Sequence, residues 1–315
     1  MKSEKSQSYE FCLFRIPENG GRVLWEITNR CNYPCGYCIF SCNPKEDPNE
    51  LTTEEVENAL NGLHQKNFTN IKFTGGEPFI RKDFMQILRR AKKLGLNLDI
   101  STNASLISPA TASELSDLVD MVHVSVDGHN REVHEEARGK GTYKPTIRGL
   151  NYLTQSGNYV RVGTVIFKGN ERHLESTVQS ISSIGANEII FSFMEPVGRL
   201  NGDTRIISTR TIEDVKTEIK SLAEKYPQIK VNYSFTEAPT CEQGRCPAVG
   251  RFLYIDNHGR LSPCTWVVGK FPQYRTNHTL KDTRFEDLIK APEINSYLDS
   301  LNQTEVQGCP VRRRL

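Results

Sequence analysis

The chain has 315 residues, of which 37% are hydrophobic and 25% charged, and its formal net charge is +2 at pH 7. This length allows one large α/β domain, alone or with a smaller appendage, and the composition is that of an ordinary soluble protein. The small charge gives no reason to expect a nucleic-acid partner, and no apolar run is long enough to span a membrane.

The amino terminus is a polar lead-in over residues 1–20. It carries several charges but no apolar stretch, so it lacks the pattern of a secretory signal. We therefore expect the protein to be cytoplasmic, in a reducing compartment where thiols stay reduced.

Strands and helices alternate after the lead-in. Apolar runs predict strands at residues 22–28, 71–74, 96–101, 121–126, 160–167 and 188–194. Helical periodicity and capping signals predict helices at residues 52–65, 83–94, from 108 onward, 146–155, 174–184 and 211–225. This alternation indicates a parallel sheet with right-handed crossovers, and the spacing leaves open both a doubly wound sheet and an incomplete barrel.

The character of the chain changes near Pro239. A hairpin is predicted at residues 252–255 and 260–263, followed by two short helices. We therefore divide the chain into an α/β domain over 21–237 and a cysteine-bearing appendage over 238–315.

The nine cysteines are clustered rather than scattered. Only Cys12 stands alone, and no cysteine lies between residues 42 and 241. In a reducing compartment such groups are ligands more often than disulfides. The two groups are Cys31, Cys35, Cys38 and Cys42 near the front, and Cys241, Cys246, Cys264 and Cys309 near the back.

The front group follows the first predicted strand, at the carboxyl end of the sheet, where ligands bind in βα proteins. Three thiolates, from Cys31, Cys35 and Cys38, can hold three irons of a 4Fe–4S cluster and leave the fourth iron open. A structural zinc site is the alternative, but it would need a distant fourth ligand or Cys42. Cys42 lies outside the spacing of the other three, so we interpret it, like Cys12, as a non-ligand.

The front segment reads TNRCNYPCGYC, with the aromatic Tyr37 just before the third cysteine. It resembles the signature of the radical S-adenosylmethionine (SAM) superfamily, and the Gly-Gly-Glu-Pro run at residues 75–78 follows the second strand as in that family. The resemblance implies a partial (β/α)6 TIM-like barrel. It also implies that a reduced cluster cleaves SAM to a 5′-deoxyadenosyl radical, which takes a hydrogen atom from the substrate. A flavodoxin or ferredoxin would supply the electron.

The same resemblance implies a set of SAM contacts. The glycines of the turn would let backbone carbonyls approach the methionyl ammonium, and an arginine would hold the carboxylate. Polar residues at the third and fourth strand ends would reach the ribose or the carboxylate, and the fifth and sixth strands would form the adenine pocket. The residues so assigned are Tyr37, Gly75, Gly76, Glu77, Pro78, Ser101, Asn103, Ser125, Asp127, Arg138, Val165 and Met194.

The back cysteines resemble the auxiliary twitch and SPASM domains that follow some radical SAM barrels, because Cys246 and Cys264 flank the predicted hairpin. The resemblance implies one auxiliary 4Fe–4S cluster on Cys241, Cys246, Cys264 and Cys309. The dense downstream cysteine run of full SPASM domains is missing, and Cys309 has no CxxC partner. An open iron, a zinc site and a set of buried thiols therefore remain alternatives.

An auxiliary cluster can accept the electron left on a substrate radical. We therefore expect an oxidative modification of a sugar-like or natural-product small molecule, with a maturase of a ribosomally made peptide or protein as the alternative. About 20 residues precede the first strand, fewer than a leader-recognition domain needs. A zinc-binding or degenerate scaffold is the non-enzyme alternative. Glu26, Asp127 and Glu195 are the candidate general bases.

Overall fold

The computed structural model describes residues 20–204, 206–234, 252–264 and 271–302. Within these residues one sheet runs in the order β7-β6-β5-β4-β3-β2-β1-β8-β9. All neighbours from β7 to β8 pair parallel, and β9 is antiparallel to β8. The strands are β1 (Gly21–Thr28), β2 (Phe68–Gly75), β3 (Asn97–Thr102), β4 (Met121–Ser125), β5 (Val160–Ile166), β6 (Glu188–Phe193), β7 (Lys230–Tyr233), β8 (Phe252–Ile255) and β9 (Leu261–Ser262).

Helices connect the parallel strands, as the alternation in the sequence predicted. Thr52 begins the first helix with a capping box, in which its side chain accepts from the backbone of Glu55 and the Glu55 side chain accepts from that of Thr52. The helices are α1 (Thr53–Gln65), α2 (Phe84–Lys93), α3 (Pro109–Leu118), α4 (Arg131–Arg138), α5 (Tyr143–Gln155), α6 (Leu174–Ile184), α7 (Ile212–Lys225), α8 (Phe285–Leu288) and α9 (Pro292–Asn302). In the described part of the chain, no helix is both long and apolar enough to cross a membrane.

The core lies between the sheet and its helices. Trp25 of β1 is fully buried and packs against Phe73 of β2, with ring centroids 5.9 Å apart. Phe84 of α2 meets Phe73 edge to face at 5.7 Å. Such aromatic contacts fix the helices against one face of the sheet and leave its other face for the site.

The predicted open partial barrel is confirmed, with two boundaries corrected. The second strand begins at Phe68 rather than at residue 71, because Gly21 of β1 pairs with Phe68. Polar Thr69 and Asn70 conceal this extension in the sequence. The fifth helix begins at Tyr143 rather than at residue 146.

Two features of the sheet were not predicted. β7 pairs with β6, but only Val231 of its four residues is buried, which is too weak a pattern to identify a strand. The predicted hairpin forms, yet β8 joins the main sheet beside β1, with Arg22 opposite Phe252 and Trp25 opposite Ile255. The division of the chain at residue 238 stays a prediction, because residues 235–251 lie outside the described part.

Glu26 ties β1 to this hairpin. It is 5% exposed, and its carboxyl accepts a hydrogen bond from the hydroxyl of Tyr254. Burial raises the pKa of Glu26 to about 8, although the hydrogen bond from Tyr254 acts in the opposite direction. Tyr254 also stacks on Phe40 of the cysteine loop, with centroids 6.3 Å apart. The buried pair therefore joins strand, hairpin and loop.

The raised pKa predicts that stability falls as pH rises. The folded protein favours the neutral carboxyl, so this contribution is complete below about pH 4.5 and is lost through about pH 8. Glu26→Gln should reduce the loss between pH 6 and pH 9, by on the order of a few kcal/mol at most. Anaerobic thermal unfolding measures this, with Glu224→Gln on the exposed face of α7 as control. Parallel curves for wild type and Glu26→Gln would contradict it.

Candidate active site

The carboxyl ends of the parallel strands surround a cavity of about 710 Å³. The loop after β1 forms one wall with Cys31, Cys35 and Cys38, and Cys42 lines the same wall. Glu195, from the segment after β6, also lines the cavity. The three thiols predicted to hold a cluster thus face one common volume.

The cysteine loop is held by backbone hydrogen bonds from several elements. The amide of Cys31 donates to the carbonyl of Asn43 at 2.9 Å, and the amide of Gly36 donates to Ala137 of α4 at 2.9 Å. The amide of Cys42 donates to the sulfur of Cys38 at 3.4 Å. These contacts shape the loop from the protein's own groups.

Cys38 and Cys42 differ in acidity. The thiol of Cys42 hydrogen-bonds the sulfur of Cys38, which lowers the pKa of Cys38 and raises that of Cys42. Cys38 therefore reaches the thiolate form more readily than Cys42. Burial raises the pKa of Cys31 to about 12. Burial also raises the pKa of Cys35. Acidity therefore does not separate the assigned ligands from Cys42, and the interpretation of Cys42 as a non-ligand stays a prediction.

The Gly-Gly-Glu-Pro turn lies against the start of the cysteine loop. The amide of Gly76 donates to Thr28 at 2.8 Å, and that of Glu77 donates to Arg30 at 2.8 Å. A side chain on Gly76 would place its Cβ 1.9 Å from the carbonyl oxygen of Arg30, and Gly75 has φ +120°. Both glycines are therefore required by contact between two backbones, whatever they do for a ligand.

Glu77 supports this turn from below. Its buried carboxylate accepts from the hydroxyl of Thr102 and from the amide of Asn103, each at 2.7 Å. Burial raises the pKa of Glu77 to about 7, and the hydrogen bonds from Asn103 and Thr102 oppose that rise. Glu77 thus joins the turn after β2 to the end of β3.

Asp127 fixes the side chains on the side of the cavity next to Cys35. Its Oδ2 accepts from Nε of Arg138 at 2.7 Å and from the hydroxyl of Tyr37, and its Oδ1 accepts from the amide of Val165 at 2.9 Å. The guanidinium of Arg138 lies 5.5 Å from the Tyr37 ring centroid, and its Nη1 lies 4.0 Å from the sulfur of Cys35. The arginine is therefore locked in direction beside the cysteine loop.

A layer of charged residues lies below the cavity, two residues earlier on the same strands. Lys72 pairs with Asp99 in register, and its Nζ lies 3.4 Å from Nδ1 of His123. Burial lowers the pKa of Lys72 to about 8, and lowers that of His123. Since side chains alternate along a strand, this layer shares a face with cavity residues such as Thr74 and Ser101.

Known proteins resemble the chain in sequence. The Radical SAM superfamily profile matches residues 25–181. The mycofactocin maturase MftC of Mycobacterium tuberculosis is 32% identical over 279 residues, which cover 85% of this chain and 70% of that protein. The chain belongs to the radical SAM superfamily. The AdoMet-dependent heme synthase of Oleidesulfovibrio alaskensis is 29% identical over 179 residues, or 56% of this chain and 46% of that protein. The chain spans about half the length of several such relatives.

Solved structures share the fold of the chain. SuiB of Streptococcus suis bound to the precursor peptide SuiA has a TM-score of 0.76 at 16% identity, over 94% of this chain and 73% of that one. Native anSMEcpe with bound AdoMet has a TM-score of 0.67 at 16% identity, over 88% and 82%. At these identities the likeness establishes the fold.

Radical SAM enzymes bind a 4Fe–4S cluster and SAM. The residues of this chain fit that cluster, because three thiols face one cavity and an all-sulfur donor set suits iron–sulfur chemistry. On this ground Cys31, Cys35 and Cys38 would hold the cluster, and the assignment stays a prediction. Among the described residues, no group of three or more His, Cys, Asp or Glu, these cysteines included, is placed to hold a single metal ion.

The predicted SAM contacts divide into two groups. Nine of the twelve line the cavity, namely Tyr37, Gly75, Gly76, Ser101, Asn103, Ser125, Arg138, Val165 and Met194. Glu77, Pro78 and Asp127, although described, are not among the lining residues. Glu77 and Asp127 instead hydrogen-bond residues that are, namely Asn103 and Arg138, so we expect them to act on bound SAM only through those residues.

The three candidate bases also separate. Asp127 is committed to Arg138, and Glu26 to Tyr254, and neither lines the cavity. Glu195 does line it. Of the three, Glu195 is the one whose position suits proton transfer to a bound molecule.

Several cavity residues escaped the sequence analysis. Thr74, Thr102 and Ser192 lie at or near the carboxyl ends of strands. The rule that ligands bind at these ends could therefore have identified them from the sequence. Ser234 follows β7, which the sequence did not predict. Arg210 also lines the cavity, from the segment after β6, and no motif marks it.

The back cysteines are only partly visible. Cys264 follows β9, and its carbonyl accepts from the hydroxyl of Ser262 at 3.2 Å. Cys241, Cys246 and Cys309 lie outside the described residues, as does Cys12. The auxiliary cluster stays a prediction.

Gly76→Ala should weaken SAM binding. Its Cβ would collide with the carbonyl of Arg30, so the turn must move, at a cost of about 1–3 kcal/mol, or about 5- to 150-fold in affinity if the whole cost falls on binding. Gly36→Ala is the control, because its Cβ would meet its nearest neighbour, the carbonyl of Ala137, at 3.8 Å. Anaerobic calorimetry with SAM measures both. Equal affinities for wild type and Gly76→Ala would contradict the role given to this contact.

The ligand assignment predicts different metal contents for two variants. Changing Cys31, Cys35 and Cys38 together to Ala should leave about half of the iron and sulfide of reconstituted wild type, because one of two clusters is lost. Cys42→Ala should keep the full amount. Loss of iron from Cys42→Ala equal to that from the triple variant would make Cys42 a ligand. Unchanged iron in the triple variant would overturn the assignment.

Proposed function

We propose that this chain is a radical SAM enzyme that modifies a side chain of a peptide or protein. The observation that carries the proposal is the extent of the mycofactocin maturase match, which reaches 85% of this chain at 32% identity. The heme synthase match covers 56%. The oxidation of a sugar-like small molecule, expected first from the sequence, has no similar support among these relatives.

The size of the cavity supports the same substrate class. A volume of about 710 Å³ lies in the range of small-molecule sites, so it can admit a side chain but not a folded domain. SuiB, which shares this fold, was solved bound to a precursor peptide, so a protein of this fold can bind a peptide. The substrate would therefore present one residue at the carboxyl ends of the strands.

When bound, the cluster and SAM supply a 5′-deoxyadenosyl radical that takes a hydrogen atom from the substrate. Arg138, fixed by Asp127, would hold the carboxylate of SAM, and the turn at Gly75 and Gly76 would face its amino group. Val165 and Met194 would exclude water from the adenine. Glu195 would exchange a proton with the substrate.

We further propose that the modification is oxidative. Cys241, Cys246, Cys264 and Cys309 would hold an auxiliary 4Fe–4S cluster that accepts the electron left on the substrate. A flavodoxin or ferredoxin would reduce the front cluster. The enzyme would then be an oxidoreductase that consumes SAM.

Transfer of deuterium tests the substrate class. Extract from cells of the source organism grown in deuterated medium is separated by size into a peptide fraction and a metabolite fraction, and each is given to the reduced enzyme with unlabelled SAM. Deuterium should reach 5′-deoxyadenosine from the peptide fraction, and protease treatment of that fraction should abolish the transfer. The triple cysteine variant is the control and should give none. Label that comes from the metabolite fraction and survives protease would contradict a peptide substrate.

A further inference from the structure

Arg199, in a short segment after β6, makes hydrogen bonds to the backbone of the cysteine loop. The backbone amide of Arg199 donates to the carbonyl of Cys38 at 2.9 Å. Its guanidinium donates through Nη1 to the carbonyl of Cys35 at 2.5 Å, and through Nη2 to that of Cys42. One residue therefore collects three carbonyl groups of the loop.

The loop needs such a donor. Its turn passes through Ser41, a non-glycine residue with φ +53°, which is an unfavourable backbone conformation. The carbonyls of Cys35 and Cys42 lie outside any helix or strand. Within the loop, the carbonyl of Cys35 accepts a long hydrogen bond from the amide of Cys38 at 3.4 Å, and Arg199 adds a shorter one. The planar fork of an arginine can serve both at once, whereas a lysine offers a single point charge.

The neighbouring glycine is a separate sign that the two segments are built to meet. Gly198 has φ +61°, and a Cβ there would lie 2.4 Å from the carbonyl oxygen of Ile39 and 2.5 Å from that of Cys38. Any other residue would push the loop and the segment apart. The close approach therefore brings Arg199 within reach of the three carbonyls.

The contact also crosses the open barrel. β1, which precedes the cysteine loop, and β6, which precedes Arg199, are separated in the sheet by β2, β3, β4 and β5. Sheet pairing does not connect their carboxyl ends. Arg199 supplies a connection across the mouth of the cavity, between residues 164 positions apart in sequence.

We propose that Arg199 is a positioning residue for the cluster held by Cys31, Cys35 and Cys38. It keeps the loop in the shape that the cluster needs, and it places a positive charge beside the loop. A positive charge favours the reduced cluster, which carries one more negative charge, so Arg199 raises the reduction potential. The inference concerns the cofactor and does not depend on the substrate.

Two variants separate the paired hydrogen bonds of the guanidinium, its fork, from its charge. Iron release and the reduction potential of the cluster are measured for each. Arg199→Gln removes both, and Arg199→Lys keeps the charge but loses the fork. The control is Arg89→Gln, which makes the same charge change in an exposed ion pair with Glu114 on α2 and α3. Iron release to a ferrous chelator is followed anaerobically. The potential is measured on the part of the reduced cluster's electron paramagnetic resonance signal that responds to SAM.

Arg199→Gln should release iron from the front cluster about tenfold faster than wild type, because charge-assisted hydrogen bonds to the loop are lost. Its potential should fall. Arg199→Lys should also release iron faster, yet hold a potential near that of wild type. Arg89→Gln should match wild type in both. A potential unchanged in Arg199→Gln, or iron release unchanged in both Arg199 variants, overturns the proposal. Should Arg199→Gln fail to fold, iron release at the wild-type rate from Arg199→Lys overturns it alone.

Discussion

The structure depends on direct contact between two backbones at the carboxyl end of β1. The turn at Gly75 and Gly76 lies so close to the cysteine loop that the carbonyl of Arg30 occupies the place of a side chain. The amide of Gly76 donates to Thr28 at the end of β1 and that of Glu77 to Arg30 of the loop, at 2.8 Å each. The contact continues the pairing of β1 with β2 beyond Thr28 and Gly75, and so positions the start of the cysteine loop relative to the end of β2.

Buried carboxylates extend that alignment around the cavity. Glu77 in the turn accepts hydrogen bonds from the end of β3. Asp127, which follows β4, accepts hydrogen bonds from Arg138 and from the backbone of β5. Each carboxylate accepts several hydrogen bonds, as a buried charged group must. Glu77 and Asp127 do not line the cavity, but they hold Asn103 and Arg138, which do. These hydrogen bonds limit how far the cavity can change shape when a ligand enters.

The sequence predicted the parts of the fold that follow local patterns. Apolar runs found the strands β1 to β6, and the capping box at Thr52 found the start of α1. β7 and the pairing of β8 with β1 could not be predicted, since a short strand owes its place to a partner distant in sequence. The cysteine motif and its resemblance located the site.

Within the site, the sequence could not predict the direction in which each side chain points. Glu26, Asp127 and Glu195 were equivalent candidates in sequence, and only the fold separates a carboxyl bonded to Tyr254 or Arg138 from one that faces the cavity. The close approach at Gly76 was likewise invisible, because the resemblance pointed to a ligand and the neighbour is backbone.

The pairing of β1 with β8 has a consequence for synthesis on the ribosome. One edge of β1 can pair with β2 soon after β2 emerges from the ribosome. The other edge has no partner until residues 252–255 have been made. At about 5–20 residues per second, that edge stays unpaired for roughly ten to forty-five seconds. An open strand edge is a template for aggregation, and here it adjoins the segment that carries the thiols. The nascent chain is therefore most vulnerable at its future catalytic end until the hairpin arrives.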